Sequence, residues 1–362
     1  MSDIPNDTVD DQTFQQTNFE KITRLVTAEF RIQEALIEQG NPTYYLVWPQ
    51  ETKQAFLRLL KQLEEMGLIA FLRKVDGRIV LKVVSKPPVK PSNLRTNLIL
   101  LLATVATTFM TGYLSFPNTG INPMVSGAIF SASILMVLGI HEMGHKLTAD
   151  KKKIDATSPY FIPGPPPLGT LGAVIMQKSL PRNRDALFDV GANGPLAGFI
   201  VALIFSAIGL LLLIPAPMSP DVDTLSLMPA SWILLARAFL SLNLFPHAPP
   251  NGLLLLHPIT LAGWAGMVVT MLNLLPAAML DGGHVARSTL ASDKFRLILT
   301  FASVALLLLI GTEFIVMAFL IVFMSMFKHP GPLDDVSSLS RKRKLLAVGL
   351  IAVFILSFPI RV

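Results

Sequence analysis

Apolar runs of helix length, separated by short polar and basic segments, fill most of the chain after residue 93. A transmembrane helix needs about 20 apolar residues to cross the hydrocarbon core of a bilayer. Runs of this kind lie at 97–114, 124–147, 186–214 and 258–279, with two shorter ones inside 295–327 and a last one at 345–359. The pattern predicts a polytopic α-helical membrane protein with about seven spans.

The first quarter of the chain has a different pattern, in which apolar positions recur at the periods of short helices and strands. The predicted division is a disordered acidic tail at 1–18, a small cytosolic α+β module at 19–85, a stiff linker at 86–93 and the membrane domain at 94–362. The module is either a regulatory or substrate-handling unit or a solubilising cap, and the pattern favours neither.

Local signals define the elements of this module. The predicted elements are a helix at 19–39, a strand at 43–48, a helix at 52–66, and two strands at 68–75 and 78–84. Gly40 is expected to end the first helix. Asp76-Gly77, between the last two strands, is a pair typical of a two-residue type I′ hairpin turn.

The segment 158–180 contains five prolines, which exclude a continuous helix, although 168–176 is apolar. Irregular backbone at membrane depth is tolerated where protein covers it or where it lines a water-filled cavity. We therefore expect a re-entrant β-hairpin whose strand at 170–176 offers an open edge to an extended peptide. The alternative is a surface loop lying among lipid headgroups.

Composition and charge agree with this architecture. Of 362 residues, 52% are hydrophobic and 15% are charged, which is too apolar for an ordinary soluble protein. The net charge of +6 does not indicate nucleic-acid binding, because the lysines and arginines cluster beside apolar spans. Placing those basic segments on the cytoplasmic side predicts a cytoplasmic amino terminus and an extracytoplasmic carboxyl terminus.

The second span ends in the motif His141-Glu142-Met143-Gly144-His145. On a helix, two histidines at positions i and i+4 project from one face and can bind one metal ion, and the adjacent glutamate can act as a general base. A solvated turn containing these residues by chance is the alternative, but ionisable groups at the end of an apolar span are costly and persist mainly where they function.

A catalytic zinc takes three protein ligands, and the absence of cysteine restricts them to His, Asp and Glu. The charge pattern brings the ends of the second and fourth spans to similar depth on the same side, so Asp281 is the strongest candidate. A charge balance supports it, because Zn²⁺ with ionised Asp281 and Glu142 sums to zero. His284 competes as a ligand, and a simple turn at Asp281-Gly282-Gly283 is the structural alternative.

The third span contains Asn193-Gly194-Pro195-Leu196-Ala197-Gly198. Glycines spaced by four residues allow helices to approach closely, so we interpret them as packing residues. Asn193 is either a helix–helix hydrogen-bond partner or a substrate contact, and the sequence favours neither role.

The paired motifs resemble those of the site-2 protease family of intramembrane zinc metalloproteases. The resemblance covers the chain from about residue 94 and rests on the His-Glu-x-x-His motif, on Asn273-x-x-Pro276-x-x-x-Leu280-Asp281-Gly282, and on the glycine-proline segment of the third span. The segment from His329 to Asp335 is also similar to one in bacterial and archaeal members.

The resemblance implies hydrolysis of a peptide bond within or beside a transmembrane helix of a single-span membrane protein. Zinc would be bound by His141, His145 and Asp281, with Glu142 as general base. The module at 19–85 resembles that of cyanobacterial and plastid homologues. Because the acidic start differs from a transit peptide, we expect a bacterial cell membrane, or a thylakoid membrane in a cyanobacterium.

Two other functions compete with this interpretation. A metal-binding transporter or scaffold without proteolysis would not require Glu142, and a transporter would line more of its path with polar groups. A different membrane zinc protease, acting on lipid-modified carboxyl termini, would take its third ligand from a glutamate such as Glu313.

Overall fold

The computed structural model describes residues 7–89, 93–116, 119–217, 227–244, 252–290, 292–327 and 329–361. The chain divides into two compact units. The first contains residues 1–89 together with 180–184 and 331–339, and the second contains 90–179, 185–330 and 340–362. Parts of the predicted tail, of the linker and of the loop after the third span lie outside the described residues.

The first unit is an α+β fold around a four-stranded antiparallel sheet. Its elements are α1 (Asp7–Glu29), β1 (Ile32–Glu38), β2 (Asn41–Leu46), α2 (Lys53–Glu65), β3 (Leu68–Val75) and β4 (Arg78–Ser85). The strand order is β1-β2-β4-β3. One face of the sheet packs with α1 and α2 around a core that contains Tyr44, Phe56, Leu59 and Leu81.

The turns of this sheet have the predicted chemistry. Asp76 and Gly77 both have positive φ, at 48° and 82°, as a type I′ turn requires. Gln39 and Gly40 form a second such turn, with φ of 50° and 76°. That second turn is the reason for a wrong prediction, because it folds the segment after Glu29 back as a hairpin where the sequence favoured a continuous helix.

The first helix also differs from the prediction at its start. α1 begins at Asp7, inside the segment that the acidic composition assigned to a disordered tail. Its end at Glu29 falls before the predicted end at 39, because Ile32–Glu38 pairs with β2.

Two later segments of the chain complete the first unit. The Leu72 N–H donates to the Leu333 carbonyl at 2.9 Å, and the Asp335 N–H donates to the Leu72 carbonyl at 3.1 Å. Leu333 is buried in the core of the unit. Arg182 contacts both carboxylate oxygens of Glu64, at 2.9 and 2.8 Å. The edge of β3 is therefore covered by residues distant in sequence.

The second unit is mostly helical. Its helices are α3 (Leu94–Ser115), α4 (Pro123–Lys151), α5 (Arg184–Leu211), α6 (Ala230–Ser241), α7 (Pro258–Leu274), α8 (Asp281–Thr289), α9 (Asp293–Ile310), α10 (Ile315–Ser325) and α11 (Arg341–Ser357), with a 3₁₀ turn at Thr312–Phe314. In the described part of the chain, three helices are long and apolar enough to cross a membrane, namely α3, α4 and α5. The unit is therefore consistent with a membrane protein.

Short antiparallel strand pairs accompany these helices. The strands are β5 (Tyr160–Pro163), β6 (Thr170–Val174), β7 (Ile214–Pro217), β8 (Leu227–Pro229), β9 (Gly252–Leu255) and β10 (Pro359–Arg361). β5 pairs with β6, β7 with β9, and β8 with β10. The β5–β6 pair is a hairpin in the segment where the sequence predicted one.

Candidate metal centre

The second half of α4 carries His141, Glu142 and His145. Because one helical turn separates the two histidines, their imidazoles project from the same face of α4. Only 3% of His141 and 4% of His145 are exposed, so the pair is nearly sealed from solvent. α4 continues to Lys151, which places the histidines inside the helix rather than at its end.

Asp281 reaches this site in a way that the sequence did not predict. α7 ends at Leu274, because a residue before proline disfavours helical backbone and Leu275 precedes Pro276. Residues 275–280 form turns, and Asp281 is the first residue of α8. The prediction of a fourth span running to 279, with Asp281 at its end, is therefore wrong in detail.

The three predicted ligands lie together, with nearly equal spacing of their ligand atoms. His141 Nε2 and His145 Nε2 are each 3.2 Å from Asp281 Oδ2, and the two nitrogens are 3.1 Å apart. Tetrahedral zinc with ligand bonds of about 2.0–2.1 Å requires ligand atoms about 3.3–3.4 Å apart. The donor set and its spacing therefore fit a zinc ion with one position left open.

The tautomer of His145 is fixed by a backbone contact. His145 Nδ1 lies 2.7 Å from the Val190 carbonyl oxygen in α5. A carbonyl only accepts hydrogen bonds, so Nδ1 must carry a proton and donate. The Nε2 of a neutral His145 then presents its lone pair toward Asp281 and His141, as a metal ligand must.

Glycines of α5 make room for the histidines. A Cβ at Gly194 would overlap the His145 imidazole, and one at Gly198 would lie 2.9 Å from His141 Nδ1. These two residues belong to the glycine-proline segment of the third predicted span. These glycines therefore act as close-packing residues, and what they pack against is the pair of histidines of the metal site.

α5 also contacts α4 through its backbone and through one hydrogen bond between side chains. A Cβ at Gly144 would lie 2.6 Å from the Asn193 carbonyl oxygen. The Asn193 side-chain amide donates to the Thr148 hydroxyl at 2.8 Å. Of the two interpretations of Asn193, the helix–helix hydrogen bond is the one present.

Glu142 is buried beside the ligands and faces the hairpin. Glu142 directly follows His141 on α4 and is only 6% exposed, and α4 packs against β6. Glu142 is therefore a buried carboxylate next to a metal ligand, on the helix that packs against β6.

Two other polar side chains, Asn273 and His284, have contacts that bear on the choice of metal ligands. The Asn273 amide nitrogen lies 3.3 Å from His141 Nε2, although the sequence motif gave Asn273 no role. His284, the competing ligand, instead has its Nδ1 2.7 Å from His329 Nε2. Among the described residues, the group suited to a metal contains Asp281 and not His284 or Glu313.

The model of peptidase family M50 matches residues 129–310, which is half of the chain. The chain belongs to peptidase family M50. This is the family of the site-2 proteases, in agreement with the motif resemblance. The match includes α5, α7, α8 and the part of α4 from residue 129 onward, and therefore every residue of the metal centre. Membership also places this M50 chain in a membrane-associated protease family.

Several plant proteins are similar to this M50 chain. The rice probable zinc metalloprotease EGY1, chloroplastic (Oryza sativa subsp. japonica), is 35% identical over 47% of the chain and 30% of its own length. The Arabidopsis thaliana EGY1 and EGY2 proteins, both described as probable chloroplastic zinc metalloproteases, are 28% and 33% identical over 66% and 63% of the chain. Those matches cover 44% and 40% of the two relatives, so the chain spans less than half the length of these proteins. No solved structure matches the chain.

Proposed function

We propose that this chain is a zinc-dependent intramembrane protease that hydrolyses a peptide bond within or near a transmembrane helix of its substrate. The observation that carries the proposal is the triangle of His141, His145 and Asp281 ligand atoms, 3.1–3.2 Å apart, next to a buried glutamate. Membership in family M50 and the similarity to probable zinc metalloproteases support it.

The residues of the site have distinct roles in this reaction. His141, His145 and Asp281 would hold the zinc ion, which when bound supplies Lewis-acid chemistry that activates water and polarises a carbonyl. Glu142 accepts a proton from the attacking water and passes it to the leaving amine. The Val190 carbonyl keeps His145 in the tautomer that binds metal.

The substrate must be extended to expose a scissile peptide bond, because a helix hides its backbone in its own hydrogen bonds. In the described part of the chain β6 pairs with β5 along one edge, and no strand pairs with its other edge. Leu171 and Val174 are exposed on this strand. We infer that a locally unwound segment of a single-span membrane protein adds to β6 as a further strand, and that the hairpin is re-entrant.

The proposed membrane arrangement has seven spans with a cytoplasmic amino terminus, in a bacterial or cyanobacterial membrane. α7 has 17 residues, about 26 Å of helix, which lies at the short end of what crosses a bilayer. Reporter fusions after Lys153 and after Val362 should localise to opposite sides of the membrane. Reporters on the same side would contradict the seven-span arrangement.

The decisive experiment replaces Glu142 by glutamine, which keeps the volume and removes the ionisable oxygen. Zinc content should be unchanged while cleavage of a single-span substrate, followed by mass spectrometry, falls by about 10²-fold or more. Glu313→Gln is the matched control, because Glu313 lies in the 3₁₀ turn and does not belong to the ligand group. Normal cleavage by Glu142→Gln with zinc in place would contradict the proposed protease mechanism. The metal would then have a transport or structural role.

A second pair of variants tests the third ligand. Asp281→Ala should lose zinc, because only two neutral imidazoles remain. His284→Ala should keep zinc, because His284 Nδ1 pairs with His329 instead. The reverse outcome would assign the third ligand to His284.

A further inference from the structure

A cluster of charged side chains joins the ends of three helices in the second unit. Arg343, at the start of α11, donates from Nε and Nη2 to the two carboxylate oxygens of Asp189, both at 2.6 Å. Its Nη1 lies 3.0 Å from Asp185 Oδ2. Lys152, which caps α4, lies 2.7 Å from the same Asp189 carboxylate.

The geometry of this cluster differs from that of an ordinary surface ion pair. The Arg343–Asp189 contact is bidentate, which is the strongest and most directional arrangement of this pair. The four side chains are between 14% and 29% exposed, and their charges sum to zero. Because Asp185 and Asp189 are one turn apart on α5, a single guanidinium fixes the first turns of that helix.

The cluster is one residue away from the metal centre along α5. Val190 follows Asp189, and its carbonyl accepts the Nδ1–H of His145. Pro195 lacks an N–H and cannot donate to the Gly191 carbonyl, so this part of α5 has an incomplete set of helical hydrogen bonds. The Val190 carbonyl lies one residue before this gap and directly after Asp189, to which Arg343 donates.

We propose that Arg343 and Asp189 are positioning residues for the metal ligand His145. Their pairing holds the turn of α5 whose Val190 carbonyl sets the tautomer and orientation of the His145 imidazole. This inference rests on the proposed function, in which His145 binds zinc. It gives the last helix of the chain a part in the metal site although α11 contributes no ligand.

The test measures metal binding by the full-length protein in detergent, independently of proteolysis. Zinc affinity is obtained by competition with a chromophoric chelator, and the ligand field by the visible absorption of the Co²⁺ form. Arg343→Gln and Asp189→Asn should each weaken zinc binding by about 10-fold and alter the Co²⁺ spectrum. The double variant should be no weaker than either single one, because both remove the same contact.

Two further variants make the outcome specific. Arg343→Lys keeps the charge but not the bidentate geometry and should recover part of the affinity. Arg58→Gln removes an Arg–carboxylate pair of the same chemistry in the first unit, where Arg58 lies 2.8 Å from Glu29, and should bind zinc like the wild type.

Each result has a definite meaning. Wild-type affinity and spectrum in Arg343→Gln would overturn the inference, while zinc binding by the wild-type protein would still support the proposed function. If Arg343→Gln does not fold, wild-type affinity and spectrum in Arg343→Lys and Asp189→Asn would overturn it. Absence of zinc binding by the wild-type protein would instead contradict the proposed function itself.

Discussion

Helix α2 of the first unit and helix α3 of the second bury different kinds of side chain. In the first unit, α2 buries apolar residues, most of them large, namely Ala55, Phe56, Leu59, Leu60 and Leu63. In the second unit, α3 buries Thr104, Thr108, Thr111 and Gly112, while leucines and isoleucines of the same helix are exposed. Water drives apolar side chains inward in the first unit, whereas in lipid the helices associate through close packing and hydroxyl contacts.

This difference explains how the second unit can hold a metal site among apolar helices. Small residues allow backbones and imidazoles to meet directly, as Gly194 and Gly198 do with the histidines of α4. In the first unit a glycine serves a turn, as Gly77 does between β3 and β4. At these positions, glycine therefore has a local role in the first unit and a tertiary role in the second.

The largest effect is expected from Gly194→Ala. The added methyl group would overlap the His145 imidazole and turn it away from the other ligands. Zinc affinity, measured by chelator competition, should fall by about 100-fold or more, and cleavage should fall with it. Gly349→Ala on α11 is the control, because a Cβ there meets nothing within 4 Å. Unchanged zinc binding in Gly194→Ala would show that the helices can separate freely, contrary to the packing described.

The largest effect on folding stability is expected in the first unit, from Phe56→Ala. This fully buried side chain is part of the apolar core, so its loss should destabilise the unit by about 3–5 kcal/mol. Native-state hydrogen exchange should show reduced protection of the β3 and β4 amides. Gln62→Ala, at an exposed position of the same helix, should leave that protection unchanged. Equal protection in both variants would mean that this core does not hold the sheet.

A smaller effect is expected from Thr108→Val in the second unit. The substitution keeps the shape and removes the 2.7 Å hydroxyl contact between Thr108 and Ser131. Interhelical hydrogen bonds in membranes contribute about 0.6–2 kcal/mol, so unfolding in mixed detergent should shift by that amount. Thr96→Val, at an exposed position near the start of α3, should not shift it.

The smallest effect is expected from Leu102→Ala on α3. Leu102 is 59% exposed, so lipid or detergent surrounds its side chain in the folded state. The same apolar surroundings are present in the unfolded state. The free energy of unfolding should change by no more than about 0.5 kcal/mol. Leu59→Ala in the fully buried core of the first unit should by contrast cost about 2–5 kcal/mol. Similar losses for the two leucines would remove the contrast between the units.

The sequence was most informative where the structure is local. The Asp76-Gly77 turn and the helix around Phe56 follow from turn chemistry and periodicity. The strand at Ile32–Glu38 was wrongly predicted as helix, because its residues favour a helix and only pairing with β2 makes it a strand. The early end of α7 could have been predicted from Pro276, which the apolar pattern obscured.

The residues of the metal site also differ in how far the sequence predicted them. His141 and His145 form a local motif, and the charge pattern related Asp281 to them at a distance. The Val190 carbonyl could not be predicted, because a backbone atom carries no sequence signal. The contact of Arg343 with Asp189 joins residues more than 150 positions apart, and neither hydrophobic period nor spacing relates them.

The insertion of Leu333 into the core of the first unit has a consequence for biosynthesis. This unit includes residues 331–339, which are translated about 250 residues after its sheet ends at Ser85. At about 5–20 residues per second, that interval lasts about 12–50 s. During this time the edge of β3 lacks its final partner and offers unpaired backbone groups to other chains or to a chaperone. The amino-terminal unit, although synthesised first, is therefore among the last parts of the protein to be completed.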